Sequence, residues 1–309
     1  MKPQWRSVLG VIAMLGGVAG CPDDAGSDGG GSSGDASSGG GSTTLGTSGS
    51  SGAVDSSTTE SAPPSRWIVT ADFTAGTLTL VDYDALVAGA RDSASLIVGT
   101  IDISMYAPGS MEVEIAPDGH TALVSVTPGF FDGLVGSTLG FTDLALDGAG
   151  LVVDLDTREV VTELATPHVP LGFAFTPDGT RAFSCNFGYT GAKGSTMSVI
   201  DMSTFEIIED VEVGEGPEQV AINEAGTLGI LNVDSMGAIR VFEVADPSGT
   251  LSPGVMTAED PSGVGWVGGT DFAVVANSIG DSTWAVVDVS DPAAPSVFFE
   301  SDPPGGFPY

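Results

Sequence analysis

The amino-acid sequence predicts an all-β fold, a β-propeller of four-stranded antiparallel blades, and two observations lead to this prediction. An apolar alternation runs into a Pro-Asp-Gly turn twice, in Val113–Gly119 and in Phe173–Gly179. A strand further along each unit ends in an apolar–acidic pair, and the five acids are Asp82, Asp154, Asp201, Glu243 and Asp288. The last four of these acids recur every 42 to 47 residues. Four short strands at that period are typical of propeller blades.

The first 21 residues have the layout of a secretory signal. Lys2 and Arg6 precede a 13-residue apolar run from Val8 to Gly20, which falls short of the roughly 20 residues that a spanning helix needs. The following residue completes Val-Ala-Gly-Cys, which resembles a bacterial lipobox, in which Cys21 is acylated and becomes the mature N-terminus. We expect a lipoprotein signal peptide over residues 1–20, and the alternative is an ordinary signal peptide with an incidental cysteine.

Residues 21–65 are predicted to be a lipidated cysteine followed by a disordered tether. From Pro22 to Ser65 the chain consists mainly of Gly, Ser, Thr, Asp and Ala, with Leu45 and Val54 as its larger apolar side chains. Such a composition cannot offset the entropy that is lost when a chain becomes ordered. A flexible coil of this length has an end-to-end distance of roughly 35–40 Å, which would hold a domain clear of a membrane.

Residues 66–309 contain the repeats and are predicted to form the propeller. The turn motif recurs in degenerate form at Val220–Gly226 and more weakly at Val264–Gly269. Second strands follow the turns, as in Ala182–Asn186, and fourth strands are predicted at Val160–Leu164 and Val211–Val213. Long helical patterns are absent from this region, which argues against an α/β fold.

The ring of blades is predicted to be incomplete. The first unit begins at its second strand, Trp67–Ala71, and lacks an inner strand, whereas the last residues, Gly305–Tyr309, resemble the start of one. The tail could close a five-bladed ring by pairing with the first unit, or further blades could be missing. We favour a truncated ring, because an inner strand of two or three residues would leave backbone groups unpaired.

Residues Thr176–Asn186, with Ser198–Asp201 after them, resemble YVTN-type, WD40-like propeller repeats. The resemblance extends over residues 66–309 and is clearest over 169–214, whereas Val126 and Val233 stand where the repeats have Asn. It implies a propeller and says little about activity, since propellers host many unrelated functions. Some members are similar to sugar-lactone hydrolases, which makes an enzyme of that type the alternative reading.

The charge of the chain excludes some partners. The formal net charge is −33, and residues 66–309 hold 35 acids against six bases. Such a surface repels nucleic acid and anionic headgroups, so we expect no nucleic-acid partner and membrane attachment only through the lipid. With Cys21 acylated, Cys185 has no disulfide partner, and we interpret it as buried packing rather than as a nucleophile, which would need nearby positive charge.

Propeller topology brings two kinds of connection to one face, those after second strands and those after fourth strands. We call this the loop face, made by Thr127–Gly150, by Phe187–Thr196 and by the connections expected to hold Tyr106, His168 and Glu218. Loops held on a rigid scaffold often carry function. The candidate binding residues are Tyr106, Phe130, Phe131, Phe141, Asp143, His168, Asn186, Tyr189, Lys193 and Glu218. The alternative is a Gly-rich insertion whose phenylalanines pack on the sheet.

Catalytic and metal roles are weaker predictions. His168 could be a general base or a metal ligand, but the second histidine, His120, is expected on the opposite face, so we favour an incidental role. Three carboxylate pairs follow the acid-ending strands, namely Asp82/Asp84, Asp154/Asp156 and Asp288/Asp291. Turn formation explains most of them, and none lies in a calcium loop pattern. We therefore predict no cofactor, with calcium binding kept as an alternative.

Taken together, these features predict a non-enzymatic lipoprotein of a bacterial cell envelope. The protein would present an acidic propeller on a flexible tether as a binding or scaffolding module, and we expect it to be a monomer. Its ligand at the loop face would be a protein, a glycan or a small cationic molecule. The long acidic tether favours the outer membrane or cell surface over the inner membrane.

Overall fold

Five antiparallel sheets follow one another along the chain in the computed structural model, which describes residues 66–106, 109–127, 148–189, 191–257, 261–277 and 283–301. The first sheet has three strands and each of the others has four. In every sheet the strands pair in sequence order, so each sheet is a meander. The prediction of an all-β fold built from repeated four-stranded units is confirmed. The tail Gly305–Tyr309, which could supply the first strand of the first unit, lies outside the described residues.

The strand bounds are as follows. Sheet 1 consists of β1 (Trp67–Asp72), β2 (Thr77–Asp82) and β3 (Ile97–Asp102). Sheet 2 consists of β4 (Ser110–Ile115), β5 (Thr121–Val126), β6 (Ala149–Asp154) and β7 (Glu159–Leu164). Sheet 3 consists of β8 (Phe173–Phe175), β9 (Arg181–Tyr189), β10 (Ala192–Asp201) and β11 (Glu206–Glu212). Sheet 4 consists of β12 (Pro217–Ile222), β13 (Leu228–Val233), β14 (Ala238–Glu243) and β15 (Val255–Met256). Sheet 5 consists of β16 (Pro261–Trp266), β17 (Phe272–Asn277), β18 (Trp284–Asp288) and β19 (Ser296–Ser301).

Helical structure is short in the described ranges. Helices α1 (Tyr83–Val87) and α2 (Ser93–Leu96) lie between β2 and β3, and α3 (Pro247–Thr250) lies between β14 and β15. Short 3-10 turns occupy Ser104–Tyr106 and Asp234–Met236. Across the part of the chain that the structure describes, none of these helices has the length and apolar character needed to cross a membrane.

The strand-ending acids lie where the sequence predicts them, and the four aspartates each accept a hydrogen bond from an amide of the turn that follows. Strands β2, β6, β10, β14 and β18 end on the five acids. The Asp154 carboxylate accepts hydrogen bonds of 2.9 Å from the amides of Asp156 and Thr157. The Asp201 carboxylate accepts from Ser203, which lowers the pKa of Asp201. An acid at this position therefore stabilises the turn into the next strand.

Two strands begin earlier than the sequence predicts. Strand β11 begins at Glu206, well before the predicted Val211, and its alternating acids face solvent while Val211 packs inward. Strand β16 begins at Pro261, before the turn motif that starts at Val264, and it ends at Trp266, where the turn part of that motif follows. In both cases the start of the strand depends on pairing with the neighbouring strand, which the local sequence does not show.

The core lies between the sheets and consists of four clusters of buried side chains. One cluster joins sheets 1 and 2 through Leu80 and Val124, and the next joins sheets 2 and 3 through Leu123 and Phe175. Phe183 and Phe242, with ring centroids 5.3 Å apart, join sheets 3 and 4. The fourth cluster joins sheets 4 and 5. Within the described ranges no such cluster joins sheet 5 to sheet 1, so consecutive sheets pack face to face without closing.

Candidate functional site

The β9–β10 hairpin carries the central part of the loop face. This hairpin extends to Tyr189 and Ala192, beyond the ends of the neighbouring strands, and its pairing shifts register between Lys193 and Thr196. The Lys193 ammonium forms an ion pair with Asp234, in the β13–β14 connection of the next sheet. The two side chains are 20% and 19% exposed, so this pair is half-buried. It fastens the hairpin of sheet 3 to a loop of sheet 4.

The connection between sheets 3 and 4 runs directly under this ion pair. The amide of Gly216 donates to the carbonyl of Gly194 at 2.8 Å, and the amide of Asp234 donates to the carbonyl of Gly216 at 2.9 Å. Gly216 has a φ of +76°, which few residues other than glycine adopt, and a Cβ there would lie 3.0 Å from the Lys193 side chain. The Gly216 backbone therefore lies close enough to the β9–β10 hairpin and to the β13–β14 connection to be hydrogen-bonded to both.

His168 joins the same cluster from the connection between sheets 2 and 3. Its side chain is exposed, and its ring lies against Gly194, where an added Cβ would lie 2.9 Å from the ring carbons. The Lys193 ammonium also lies 5.6 Å from the ring centroid of Phe187, within cation–π range. We call His168, Phe187, Lys193 and Asp234 the loop-face cluster.

Other candidate residues lie deeper than expected. Asn186 belongs to β9 and is fully buried; its amide donates to Thr196 and Ser198 at 2.9 and 2.8 Å, and its carbonyl accepts from Ser184. Glu218 was expected in a connection, but it lies within β12 and is 6% exposed. These two side chains therefore belong to the interior rather than to the binding surface. The reason is that a strand end in this fold is covered by the neighbouring sheets.

The remaining candidates divide into described and undescribed residues. Tyr106 is half-buried and packs against the cluster between sheets 1 and 2, and Tyr189 is half-buried at the end of β9. The candidates that lie outside the described residues are Cys21, Phe130, Phe131, Phe141 and Asp143. The structure thus brings His168 and Lys193 together. It places Tyr106 away from them, at the contact between sheets 1 and 2.

A group of carboxyls on the first strands was missed by the sequence reasoning. Glu112 and Glu114 are on β4, and the Gln219 amide of β12 donates a hydrogen bond to the Glu112 carboxylate. Burial raises the pKa of Glu112 to about 8, and the nearby charge of Glu114 adds to this effect while the Gln219 hydrogen bond opposes it. Burial also raises the pKa of Glu114 to about 7. The signal for this pair is the Met-Glu-Val-Glu-Ile run, in which acids alternate with apolar residues in an interior strand.

Cys185 lies in β9, close to this acidic group. The side chain is fully buried, and burial raises the pKa of its thiol well above the ordinary value, with further contributions from the charges of Glu112 and Glu218. A thiol in these surroundings stays protonated and is a poor nucleophile. The interpretation of Cys185 as buried packing is confirmed.

The opposite end of the sheets carries the tight turns, and we call it the turn face. His120 follows the first Pro-Asp-Gly turn there, and its Nδ1 lies 2.8 Å from the Asp156 carboxylate. Open grooves of about 360 and 390 Å³ also lie at this end, the first between the turns that hold Pro117 and Pro177 and the second beside Glu243. In the described ranges, no group of three His, Cys, Asp or Glu side chains is placed to hold a metal ion.

Comparisons with known proteins show similarity of fold and do not indicate a function. No protein-family model matches the chain, and no curated protein matches it. Among solved structures, hydrazine synthase of Kuenenia stuttgartiensis is similar with a TM-score of 0.50 at 21% identity, over 62% of this chain and 49% of that chain. A protein of Desulfotomaculum acetoxidans DSM 771, described as functionally unknown, is similar with a TM-score of 0.56 at 16% identity, over 76% of this chain and 66% of that one. The chain therefore spans about half of the first relative's length and just under two thirds of the second's.

Proposed function

We propose that this protein is a lipid-anchored envelope protein that binds a partner through the loop face of an acidic β-propeller. The proposal has three parts, which are the propeller, the binding face and the anchor. Contacts within the chain support the first two parts, and separate experiments test the binding face and the anchor.

The propeller is supported by the way in which the sheets follow one another. The first strands of sheets 2 to 5 contact each other in order, from β4 to β8, β12 and β16. The hydrogen bond from Gln219 to Glu112 reaches from sheet 4 to sheet 2 past the three-residue strand β8. First strands that converge in this way would surround a common axis, which is the arrangement of propeller blades. The resemblance to YVTN-type repeats favours the same arrangement.

The binding face is supported by the loop-face cluster, which is the observation that carries the proposal. Three connections from different sheets meet at Lys193, Asp234 and His168, and hydrogen bonds of 2.8 to 2.9 Å lock their backbones together. A surface that is already fixed loses little conformational entropy when a ligand binds. His168 is the exposed member and would contact the ligand, while the ion pair would hold the surface in place.

The charge of the protein suggests the class of partner. Residues 66–309 carry a net charge of about −29, and Glu215 is exposed beside the cluster, where Lys193 is neutralised by Asp234. Such a surface attracts cations over a Debye length of about 8 Å at physiological salt. We propose a cationic protein segment or small cationic ligand as the first class to test, with a glycan as the alternative.

The two histidines allow a direct test of the binding face. His168 lies on the loop face and His120 on the turn face, and the chain has no other histidine. In the full chain with Cys21→Ser and 13C-labelled histidine, a ligand at the loop face would shift the His168 ring resonances and leave those of His120 unchanged. We would titrate spermidine, a lysine-rich peptide and neutral oligosaccharides in turn.

The outcome of this titration shows whether the ligand binds at the loop face. Saturable shifts confined to His168, and kept in His120→Ala, would support the proposal. Shifts at His120 alone, or equal shifts at both, would refute it and move attention to the turn-face grooves.

The lipid anchor is tested separately. Metabolic labelling with an alkyne-tagged palmitate should mark the natural sequence and leave Cys21→Ser unlabelled, with the variant released into the soluble fraction. Protease treatment of intact cells should then remove the domain if it stands on the outer surface. Equal labelling of both proteins would refute the anchor without affecting the binding face.

A further inference from the structure

Two methionines lie at the surface of the loop face, where sheet 4 borders sheet 3. Met236 belongs to the short 3-10 turn that begins at Asp234, whose carboxylate pairs with Lys193, and it is 40% exposed. Met256 belongs to the edge strand β15, where the strand pairing places it opposite Ala238, and it is 65% exposed. The loop-face cluster therefore continues into an apolar surface towards the edge of sheet 4.

Glycines on two neighbouring segments make room for the Met236 side chain. A Cβ added at Gly214, in the connection between sheets 3 and 4, would lie 2.8 Å from its sulfur atom. A Cβ added at Gly254, just before β15, would lie 3.0 Å from its terminal methyl carbon and 3.3 Å from the Cβ of Ala238. Directly opposed residues of antiparallel strands share one face of the sheet, so Met256, opposite Ala238, flanks the same slot.

Hydrogen bonds hold the backbone of this surface in place. The amide of Ser235 donates to the carbonyl of Glu215 at 3.3 Å, and the amide of Thr257 donates to the carbonyl of Gly237 at 3.2 Å. These bonds join the connection between sheets 3 and 4, the β13–β14 connection and the end of β15. Methionine is flexible and polarizable and packs against apolar partners of different shape. The surface thus combines adaptable side chains with a fixed backbone.

The charges beside the methionines favour a basic partner. Glu215 is exposed in the connection between sheets 3 and 4, and Lys193 is neutralised by Asp234. The Arg240 guanidinium lies at the same boundary and donates to two backbone carbonyls, at 3.1 and 2.8 Å. Residues 66–309 as a whole carry a net charge of about −29, which attracts cations. An exposed carboxylate therefore stands next to an apolar surface on an acidic domain.

We propose that the loop face binds a protein segment that places an apolar side chain on Met236 and Met256 and a basic side chain on Glu215. The inference rests on the proposed function and narrows its class of ligand. A small polyamine carries no side chain to cover the two thioethers, and a neutral glycan has no charge for the carboxylate. Burial of the apolar side chain adds affinity that a purely basic ligand lacks.

Two peptides of equal charge test the proposal. Acetylated and amidated Lys-Leu-Lys-Lys-Leu-Lys and Lys-Ser-Lys-Lys-Ser-Lys are titrated into the full chain with Cys21→Ser and 13C-methyl methionine. We expect the leucine peptide to bind about tenfold more tightly, a difference of about 1.4 kcal/mol, and to shift the methyl resonances of Met236 and Met256. Met202 lies on the turn face and Met197 is fully buried, so their resonances should stay unchanged.

Single variants identify the contact. Met256→Ser should reduce the preference for the leucine peptide to about threefold or less, because part of the apolar surface is lost. Met105→Ser is the matched control, since it makes the same change at an 81% exposed position in the connection between sheets 1 and 2, and it should keep the full preference. Both positions are exposed, so the melting curves of the two variants should match that of the natural sequence.

Other results would overturn the proposal. Equal affinity for the two peptides, with His168 shifted by both, would contradict this inference and leave the loop-face function standing. Methyl shifts at Met105 or Met202 rather than at Met236 and Met256, or a preference that persists unchanged in Met256→Ser, would also contradict it. Absence of any shift at His168 and at the methionines would refute the proposed function and this inference together.

Discussion

Replacing Glu112 by glutamine should stabilise the protein at neutral pH and leave its stability unchanged in mild acid. Burial raises the pKa of Glu112 from 4.5 to about 8. The folded state therefore holds a proton that the unfolded chain releases above pH 4.5. The stability that this proton provides is complete below pH 4.5 and is lost as the pH rises towards 8.

The expected magnitude follows from the size of the shift. Each pH unit between the two values costs about 1.4 kcal/mol, so the natural sequence should lose about 3 kcal/mol between pH 4.5 and pH 7 through this one group. The neighbouring Glu114, whose pKa is raised to about 7, adds to the same slope. In Glu112→Gln the side chain is neutral at every pH, and its carbonyl can still accept from Gln219. The variant should therefore gain about 3 kcal/mol at pH 7 and close to nothing at pH 4.5.

Urea unfolding followed by circular dichroism at pH 4.5, 6 and 7.5 measures this difference. Glu163→Gln is the matched control, because it makes the same change of side chain at an exposed position on β7. If Glu112→Gln and the natural sequence lose stability in parallel between pH 4.5 and 7.5, the pKa of the Glu112 carboxyl is not raised and the reasoning fails.

Three further outcomes follow from the described contacts. The Cys185 thiol, buried and protonated, should resist maleimide labelling in the folded protein and react fully in 6 M guanidinium chloride; rapid labelling of the folded form would contradict its burial. A double-mutant cycle of Lys193→Met and Asp234→Asn should give a coupling free energy of about 1 kcal/mol. This is above the value for most surface pairs, since both side chains are half-buried. A coupling free energy near zero at low salt would show that the pair does not hold the two loops together. Asn186→Val should lower the free energy of unfolding in urea by about 1–3 kcal/mol, because the hydroxyls of Thr196 and Ser198 lose their hydrogen-bond donor. Val233→Ile, in the corresponding strand of sheet 4, should lower it by less. Equal effects of the two variants would argue against the hydrogen-bond network.

Features that depend on local pattern were predictable from the sequence. An acid such as Asp154 ends a strand and accepts hydrogen bonds from the next two amides, so its position follows from residues that are neighbours in the chain. The Pro-Asp-Gly turns have the same local cause, as Gly119 and Gly179 have φ values of +78° and +70°. Period-two alternation then fixes which side chains point inward.

Contacts between distant residues were not predictable in this way. Gln219 and Glu112 are 107 residues apart, and Lys193 and Asp234 are 41 apart. No residue near Glu112 in the chain indicates that Gln219 is its partner, so its half-buried position and raised pKa were not predicted. Asn186 and Glu218 were expected at the surface for the same reason, since their burial is due to the neighbouring sheets.

The sequence by itself determined the repeat, the strands within each unit and the acidic charge, because each of these depends on neighbouring residues or on composition. The tertiary structure decided which side chains meet between sheets and which of them are buried. Val274 illustrates the division: its strand position is local information, but its exposure depends on whether another sheet packs against it. Packing between sheets is a contact across the fold, and the local alternation that produces a sheet is the same whether or not its second face is covered.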